Sequence, residues 1–224
     1  MLILVVDTST PAVTAGLARV ATDRVDLLAE RRDVDARAHG ELLAPAIVAV
    51  LAESGTTPRG LAAVVAGVGP GPFTGLRVGL VTAATIGQAV GIPTYGVCSL
   101  DALGALTSDL TLVATDARRK EIYWAVYDKG VRVTDPAVDR PAFVPAILAE
   151  RGLAPVAAVG EGALRYAAEL ALPVLENPRH PSSKALAEIA ADRVRAAAPS
   201  EVLTPLYLRR PDAVEPGARK PVWQ

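Results

Sequence analysis

Three short stretches of this chain carry residue types that handle phosphates and cations. Asp7-Thr8-Ser9-Thr10 and Asp116-Ala117-Arg118-Arg119 each end an apolar run with a carboxylate followed by hydroxyls or guanidinium groups. Carboxylates at such turns orient Mg²⁺ and water around phosphates; the same residues equally cap their own turns. Between them lies Gly69-Pro70-Gly71-Pro72-Phe73-Thr74-Gly75-Leu76-Arg77, entered from the apolar Leu61–Val65 run and left by a small-residue helix. Strand, glycine-rich loop and helix aim backbone N–H groups at an anion, although glycine and proline also make ordinary tight turns. Arg118, Arg119 and Lys120 would attract phosphate or a nucleic-acid backbone, or simply be solvated. His39 and His180 are the only histidines and are far apart in sequence, and Cys98, Ser99 and Asp101 within one turn read as a helix cap. No metal centre is expected from these residues.

The elements that must position these stretches repeat. Leu4–Thr10 is a strand ending in an Asp-led turn, and Val13–Val20 returns from it. Leu112–Arg119 and Ile122–Tyr127 have the same outline. Each hairpin is followed by a third strand (Asp26–Arg31; Val131–Thr134), then by helices alternating with a short strand. The first helix spans His39–Ser54, with Gly55 as its stop. Leu42, Leu43, Ile47, Val50 and Leu51 make one apolar face of it, while Ala44, Val48 and Ala52 leave the opposite face apolar too, so it needs cover on two sides. The second-half helices are Ala142–Glu150, Leu164–Leu170 and Ser182–Ala198. The halves divide as 1–105 and 106–210, with 211–224 a mobile Pro-rich tail. Gly75, Gly79, Ala83 and Gly87 recur every fourth residue, so one face of their helix lets another backbone approach closely. Spacing alone favours close packing inside the domain over contact with a second protein.

Two α/β halves that each open with an Asp-tipped hairpin suggest the duplicated actin-like (ribonuclease H-like) α/β fold, in which the tips face each other across a nucleotide cleft. A doubly wound sheet is the alternative, but such sheets alternate strand and helix from the start. With 224 residues and a net charge of −1, the chain has no electrostatic footprint for autonomous nucleic-acid binding. Its single cysteine, Cys98, excludes an internal disulfide framework and fits a reducing cytoplasm. The N-terminal Met1–Val6 run reads as a strand, not a signal peptide, and no uninterrupted apolar stretch of membrane-spanning length is expected.

Asp7-Thr8-Ser9-Thr10, His39-x-Glu41-Leu42-Leu43-x-Pro45-x-Ile47, the Gly69–Arg77 block, Asp116-Ala117-Arg118-Arg119 with Glu121-Ile122-Tyr123, and Pro205-x-Tyr207-Leu208-Arg209 occur in that order. This set resembles the TsaB (YeaZ) family over nearly the whole chain. Pro72 departs from the family's usual Ser and removes a hydroxyl and an N–H from the loop. The resemblance implies a non-catalytic subunit required for tRNA threonylcarbamoyladenosine formation. Its partners would be the transferase TsaD and the ATPase TsaE, with tRNA reached indirectly through the complex and a homodimer when alone. ATP and metal would belong to those partners and not to this chain. The family's dimer contact uses the first two helices, which reverses the preference from spacing and assigns His39, Leu43, Ile47, Val50, Gly75, Arg77, Gly79, Ala83 and Gly87 to an interface. On that assignment Gly79→Leu would abolish pairing and spare the fold.

Asp7, Thr8, Ser9, Thr10 and Asp116 become vestigial phosphate loops. Where the catalytic relative has its His-x-x-x-His metal pair, this chain has Ser99 and Leu103. Where nucleotide-binding relatives place a Gly-Gly pair, Glu161 puts a carboxylate. An autonomous actin-like ATPase or small-molecule kinase is the alternative, and a metallopeptidase the weakest reading.

Overall fold

A computed structural model describes residues 1–209. The 211–224 segment expected to be a mobile tail lies outside the described residues.

The near-continuous apolar run at the N-terminus becomes β1 (Leu2–Asp7), a central strand with Leu4 and Val6 on one face and Ile3 and Val5 on the other, all fully buried. β2 (Ala12–Val20) returns antiparallel, from Asp7 opposite Thr14 to Leu2 opposite Arg19, and β3 (Val25–Val34) extends the meander. Next come α1 (His39–Glu53), β4 (Ala63–Gly67), α2 (Phe73–Val90) and β5 (Thr94–Val97). The sheet order is β3-β2-β1-β4-β5, with β1, β4 and β5 parallel.

After α3 (Ser99–Gly104) the pattern recurs. β6 (Thr111–Asp116) and β7 (Ile122–Asp128) form the second hairpin, and β8 (Val131–Arg132) the shortened third strand. β9 (Ala137–Asp139), unmarked in the sequence, also pairs with β7. α4 (Val144–Glu150), β10 (Ala157–Val159), α5 (Glu161–Arg165), α6 (Ala167–Leu170) and α7 (Ser183–Arg195) follow. This second sheet runs β10-β6-β7-β8. The two sheets with their helices form the expected actin-like fold.

The boundary at 106 needs correction. α1 and α2 cover one face of the first sheet, but α7 covers the other, with Ala187 and Ala190 against Ile3, Val5 and Val65. α3, encoded in the first half, packs Leu100 and Leu103 against Val113, Ala125 and Tyr127 of the second sheet. The halves thus exchange helices. Each sheet has two apolar faces, and neither half supplies enough of its own helix to cover both. Residues 200–201 then close the β5 edge: Glu201 N–H donates to the Thr94 carbonyl (2.8 Å) and Gly96 N–H to Glu201 Oε2 (3.0 Å).

α2 also corrects the expectation about apolar stretches. By length and composition it is just long and apolar enough to cross a membrane. Here it lies on β4, with Leu76, Leu80 and Ala83 buried in the core.

Candidate functional site

The first hairpin tip is closed by its own hydroxyls. Asp7 is fully buried, and its carboxylate accepts from Ser9 N–H (3.0 Å) and Ser9 Oγ (2.8 Å) on one oxygen and from Ser99 Oγ (2.6 Å) on the other. Burial pushes this carboxyl up, and the Ser99 and Ser9 hydrogen bonds oppose the shift. Gly67 is what lets Asp7 lie there: a Cβ on it would stand 1.7 Å from Asp7 Oδ2. The Thr8 hydroxyl donates to the Gly75 carbonyl (2.8 Å) and accepts from Gly79 N–H (3.0 Å), inserting between two backbone groups one helical turn apart. Thr10 brings the two histidines together. His39 Nε2 lies 2.8 Å from its carbonyl oxygen, and His180 Nδ1 lies 3.2 Å from its hydroxyl. Burial, with Arg32 and Arg179 nearby, pulls the His180 imidazole down to about 4. The Gly-rich loop is buried against this tip, with Gly71 so close to the Ser9 backbone that a Cβ would meet its carbonyl oxygen at 2.3 Å.

The second tip is held by longer side chains. Buried Asp116 accepts from Arg165 Nη1 and Tyr166 Oη, each at 3.2 Å, and its own N–H donates to Glu161 Oε1 at 2.8 Å. Burial pushes the Glu161 carboxyl up to about 6 against the pull of that hydrogen bond. Arg118, Arg119 and Lys120 all stand in the left-handed region (φ 63°, 52° and 61°) and are exposed.

An actin-like fold implies a nucleotide held between two such tips, and these residues do not fit one. The backbone donor at the second tip is taken by a carboxylate, which occupies an anion's position and repels phosphate. The Asp7 carboxylate is enclosed by protein donors and presents no oxygen to a cation. Ser99, where the resemblance sets the first histidine of a metal pair, donates to Asp7 instead, and Leu103 is core. Among the described residues no group of three or more His, Cys, Asp or Glu side chains is placed to hold a metal ion.

A third cluster escaped the sequence reading. The Arg77 guanidinium lies 3.6 Å over the Phe73 ring, its Nε donates to Tyr207 Oη (2.7 Å), and Phe73 and Tyr207 stack with centroids 5.2 Å apart and an interplanar angle of 28°. Phe73 and Tyr207 remain 53% and 41% exposed. No local pattern signals this contact, since 130 residues separate its two segments.

Against known proteins, a family model described as TsaD, tRNA N6-adenosine threonylcarbamoyltransferase, matches residues 33–154. An uncharacterized protein of Mycobacterium tuberculosis is 53% identical over 213 residues, covering 94% of this chain and 93% of that one. The tRNA threonylcarbamoyladenosine biosynthesis protein TsaB of Escherichia coli is 32% identical over 134 residues, 58% of this chain and 56% of that one. A crystal structure of a Pseudomonas aeruginosa protein described as similar to YeaZ superposes with a TM-score of 0.74 at 25% identity, over 93% of this chain and 99% of that one. The chain belongs to the TsaB (YeaZ) family.

The two helices to which the resemblance assigns pairing are present as α1 and α2, but the expected contact residues face inward. His39, Leu43, Ile47, Val50, Gly79, Ala83 and Gly87 are buried inside this chain, and Gly75 is half-buried. Their side chains or close-packed backbone already face the first sheet and its hairpin tip. Only Arg77 is exposed, and it is engaged by Phe73 and Tyr207. A Cβ on Gly79 would stand 2.5 Å from Thr8 Oγ1 and one on Gly87 2.6 Å from Thr94 Cγ2. Gly79→Leu therefore breaks the fold before it tests any interface, and the small-residue stripe is an internal packing device. The outer surface of the helix pair is different: Ala44, Pro45, Val48 and Ala52 on α1 and Val81, Thr85 and Ala89 on α2 are exposed.

Proposed function

We propose that this chain takes part in tRNA threonylcarbamoyladenosine biosynthesis as a subunit that performs no transfer itself. It pairs with a TsaD transferase through the outer faces of α1 and α2. One observation carries this reading: both hairpin tips are closed by the chain's own groups, Asp7 by Ser9 and Ser99, and the Asp116 N–H by Glu161. The Escherichia coli and Bacillus subtilis relatives are both named for this biosynthesis. The exposed alanine, valine and proline surface of α1 and α2 supports an apolar helix-to-helix contact of roughly 800 Å² per partner. In this reading the isolated chain covers that face by forming a homodimer and binds no nucleotide. The assembly is cytoplasmic, the ATPase TsaE joins it, and tRNA reaches the chain through the complex.

The test is light scattering after size-exclusion chromatography, on the chain alone and mixed with TsaD from the same organism. Val48→Asp puts a charge on a side chain that is 65% exposed, so the fold tolerates it. The expected outcome is a mixed species for the wild type and separate peaks for V48D at micromolar concentration. A wild-type chain that ignores TsaD but binds Mg²⁺-ATP would overturn the reading in favour of an autonomous ATPase.

A further inference from the structure

Phe73, Arg77, Val81, Thr85 and Ala89 form one exposed row of α2, four residues apart, on the face assigned to pairing. Arg77 is the only ionisable side chain of that helix. Its guanidinium is held in place: the Phe73 ring lies 3.6 Å from it, the Tyr207 ring 5.7 Å, and Nε donates to Tyr207 Oη at 2.7 Å. These contacts occupy one face of the plane and Nε, and leave the Nη1–Nη2 edge without a hydrogen bond among the described residues. The carboxylates of this region are engaged elsewhere, Glu201 by Arg193 (2.9 Å) and the Gly96 N–H (3.0 Å), and Glu121 by Arg209 (2.9 Å). Glu41 is exposed, but it belongs to the first turn of α1, where the helix dipole favours its charge. Beside Arg77 a groove of ≈ 520 Å³ runs between α2 and the 201–207 segment, walled by Val81, Ala84, Val202, Leu203 and Tyr207. Val202 is 90% exposed.

Pairing takes water away from this row. A guanidinium dried without an opposite charge opposes association. One already held by a ring and a hydroxyl loses little freedom when a carboxylate docks on its fork. We propose that the Arg77 fork receives a side-chain carboxylate of the TsaD partner, and that an apolar neighbour of that carboxylate sits in the groove against Val81 and Val202. The inference rests on the pairing reading, and it extends the face from the two helices to the 201–207 segment. A nucleic-acid phosphate is the poorer match. Arg77 is the only cation of its row, Glu201 lines the same groove, and the other members of the row are uncharged and call for apolar cover.

The test is isothermal titration calorimetry of the full chain with TsaD from the same organism. Arg77→Gln should weaken pairing roughly 30-fold or more, the loss of one partner from a dried charge pair. Arg77→Lys keeps the charge but not the fork or the ring contact, and should fall between Arg77→Gln and the wild type. Val202→Asp should also weaken pairing, because it sets a second carboxylate where the partner's must enter. Circular dichroism of each variant confirms that these exposed changes leave the fold intact. The decisive measurement is charge reversal. Arg77→Glu is titrated against TsaD variants in which each exposed Asp or Glu is changed in turn to Arg, and one of them should restore most of the lost affinity.

If Val48→Asp abolishes pairing while Arg77→Gln leaves it unchanged, this inference is overturned and the pairing stands. If Arg77→Gln weakens pairing but no TsaD reversal restores Arg77→Glu, the guanidinium meets no carboxylate and the inference is again overturned. A wild-type chain that ignores TsaD overturns both. Self-association lost in Arg77→Glu and regained with Glu41→Arg, at constant affinity for TsaD, assigns the carboxylate to a second copy of this chain and overturns the inference as well.

Discussion

The two hairpin tips begin from the same sequence outline and end in opposite physical states. At the first, short hydroxyl side chains from neighbouring segments converge on a fully buried aspartate, and every residue from Asp7 to Thr10 is buried and hydrogen-bonded. At the second, long cationic side chains reach in from α5 and the turn, and the residues after Ala117 stand in solvent. One tip has become part of the core between α2 and the first sheet. The other has kept a charged, strained exterior. Two tips of the same outline need not pack alike: one is absorbed into the core while the other keeps its cations at the surface.

Removing the aspartates should separate the two most strongly. Asp7→Ala leaves the Ser9 N–H and the Ser9 and Ser99 hydroxyls without an acceptor in a dry site, at a cost of about 3 kcal/mol. Asp116→Ala should cost less, about 2 kcal/mol, because Arg165 is 57% exposed and recovers water, and only the buried Tyr166 hydroxyl loses its acceptor. Equal losses in urea unfolding would erase the contrast.

The tips should also titrate in opposite senses. His180 at the first tip is pulled from 6.5 to about 4, so the folded state binds fewer protons than the unfolded one between those values. Its contribution is present above pH 6.5 and is lost as pH falls toward 4. The loss is on the order of 1–2 kcal/mol once solvent access to the half-buried ring is allowed for. Glu161 at the second tip is raised from 4.5 to about 6, so its contribution is present below pH 4.5 and is lost as pH rises through 6. Melting curves from pH 4 to 7 should flatten on the acid side for His180→Gln, with the opposite slope change for Glu161→Gln. Slope changes of the same sign would contradict the environments described for the two groups.

The smallest effect sharpens the strain at the second tip. Lys120→Gly relieves a left-handed lysine and should raise stability by about 0.5 kcal/mol, after the greater freedom of glycine in the unfolded chain is counted. A destabilised variant would mean that the lysine side chain stabilises the turn.

Much of this was legible in the sequence because it is local. The Asp-tipped hairpins, the α1 span and the second face of α1 at Ala44, Val48 and Ala52 follow from periodicity and turn chemistry. So does the carboxylate of Glu161 in the second loop. What was not legible depends on distant segments meeting. The small-residue stripe shows that something approaches closely, but not that the visitor is the Thr8 hydroxyl instead of a partner helix. Assigning Leu43, Ile47 and Val50 to an interface failed because α1 has two apolar faces, and only the sheet decides which is inward. The convergence of His39 and His180 on Thr10, and of Phe73 and Arg77 with Tyr207, leaves no trace in spacing.

The exchanged helices carry a consequence for synthesis. The first sheet is complete once Val97 has been made, yet its face bearing Ile3, Val5 and Val65 has no cover until α7 follows. On a ribosome adding about 5–20 residues per second, that face waits roughly 5–20 s. A nascent chain in that interval presents an apolar sheet to whatever is near, which makes it a client for a ribosome-associated chaperone. Residues 1–105 expressed alone should collect in the insoluble fraction and become soluble when residues 183–209 are supplied in trans.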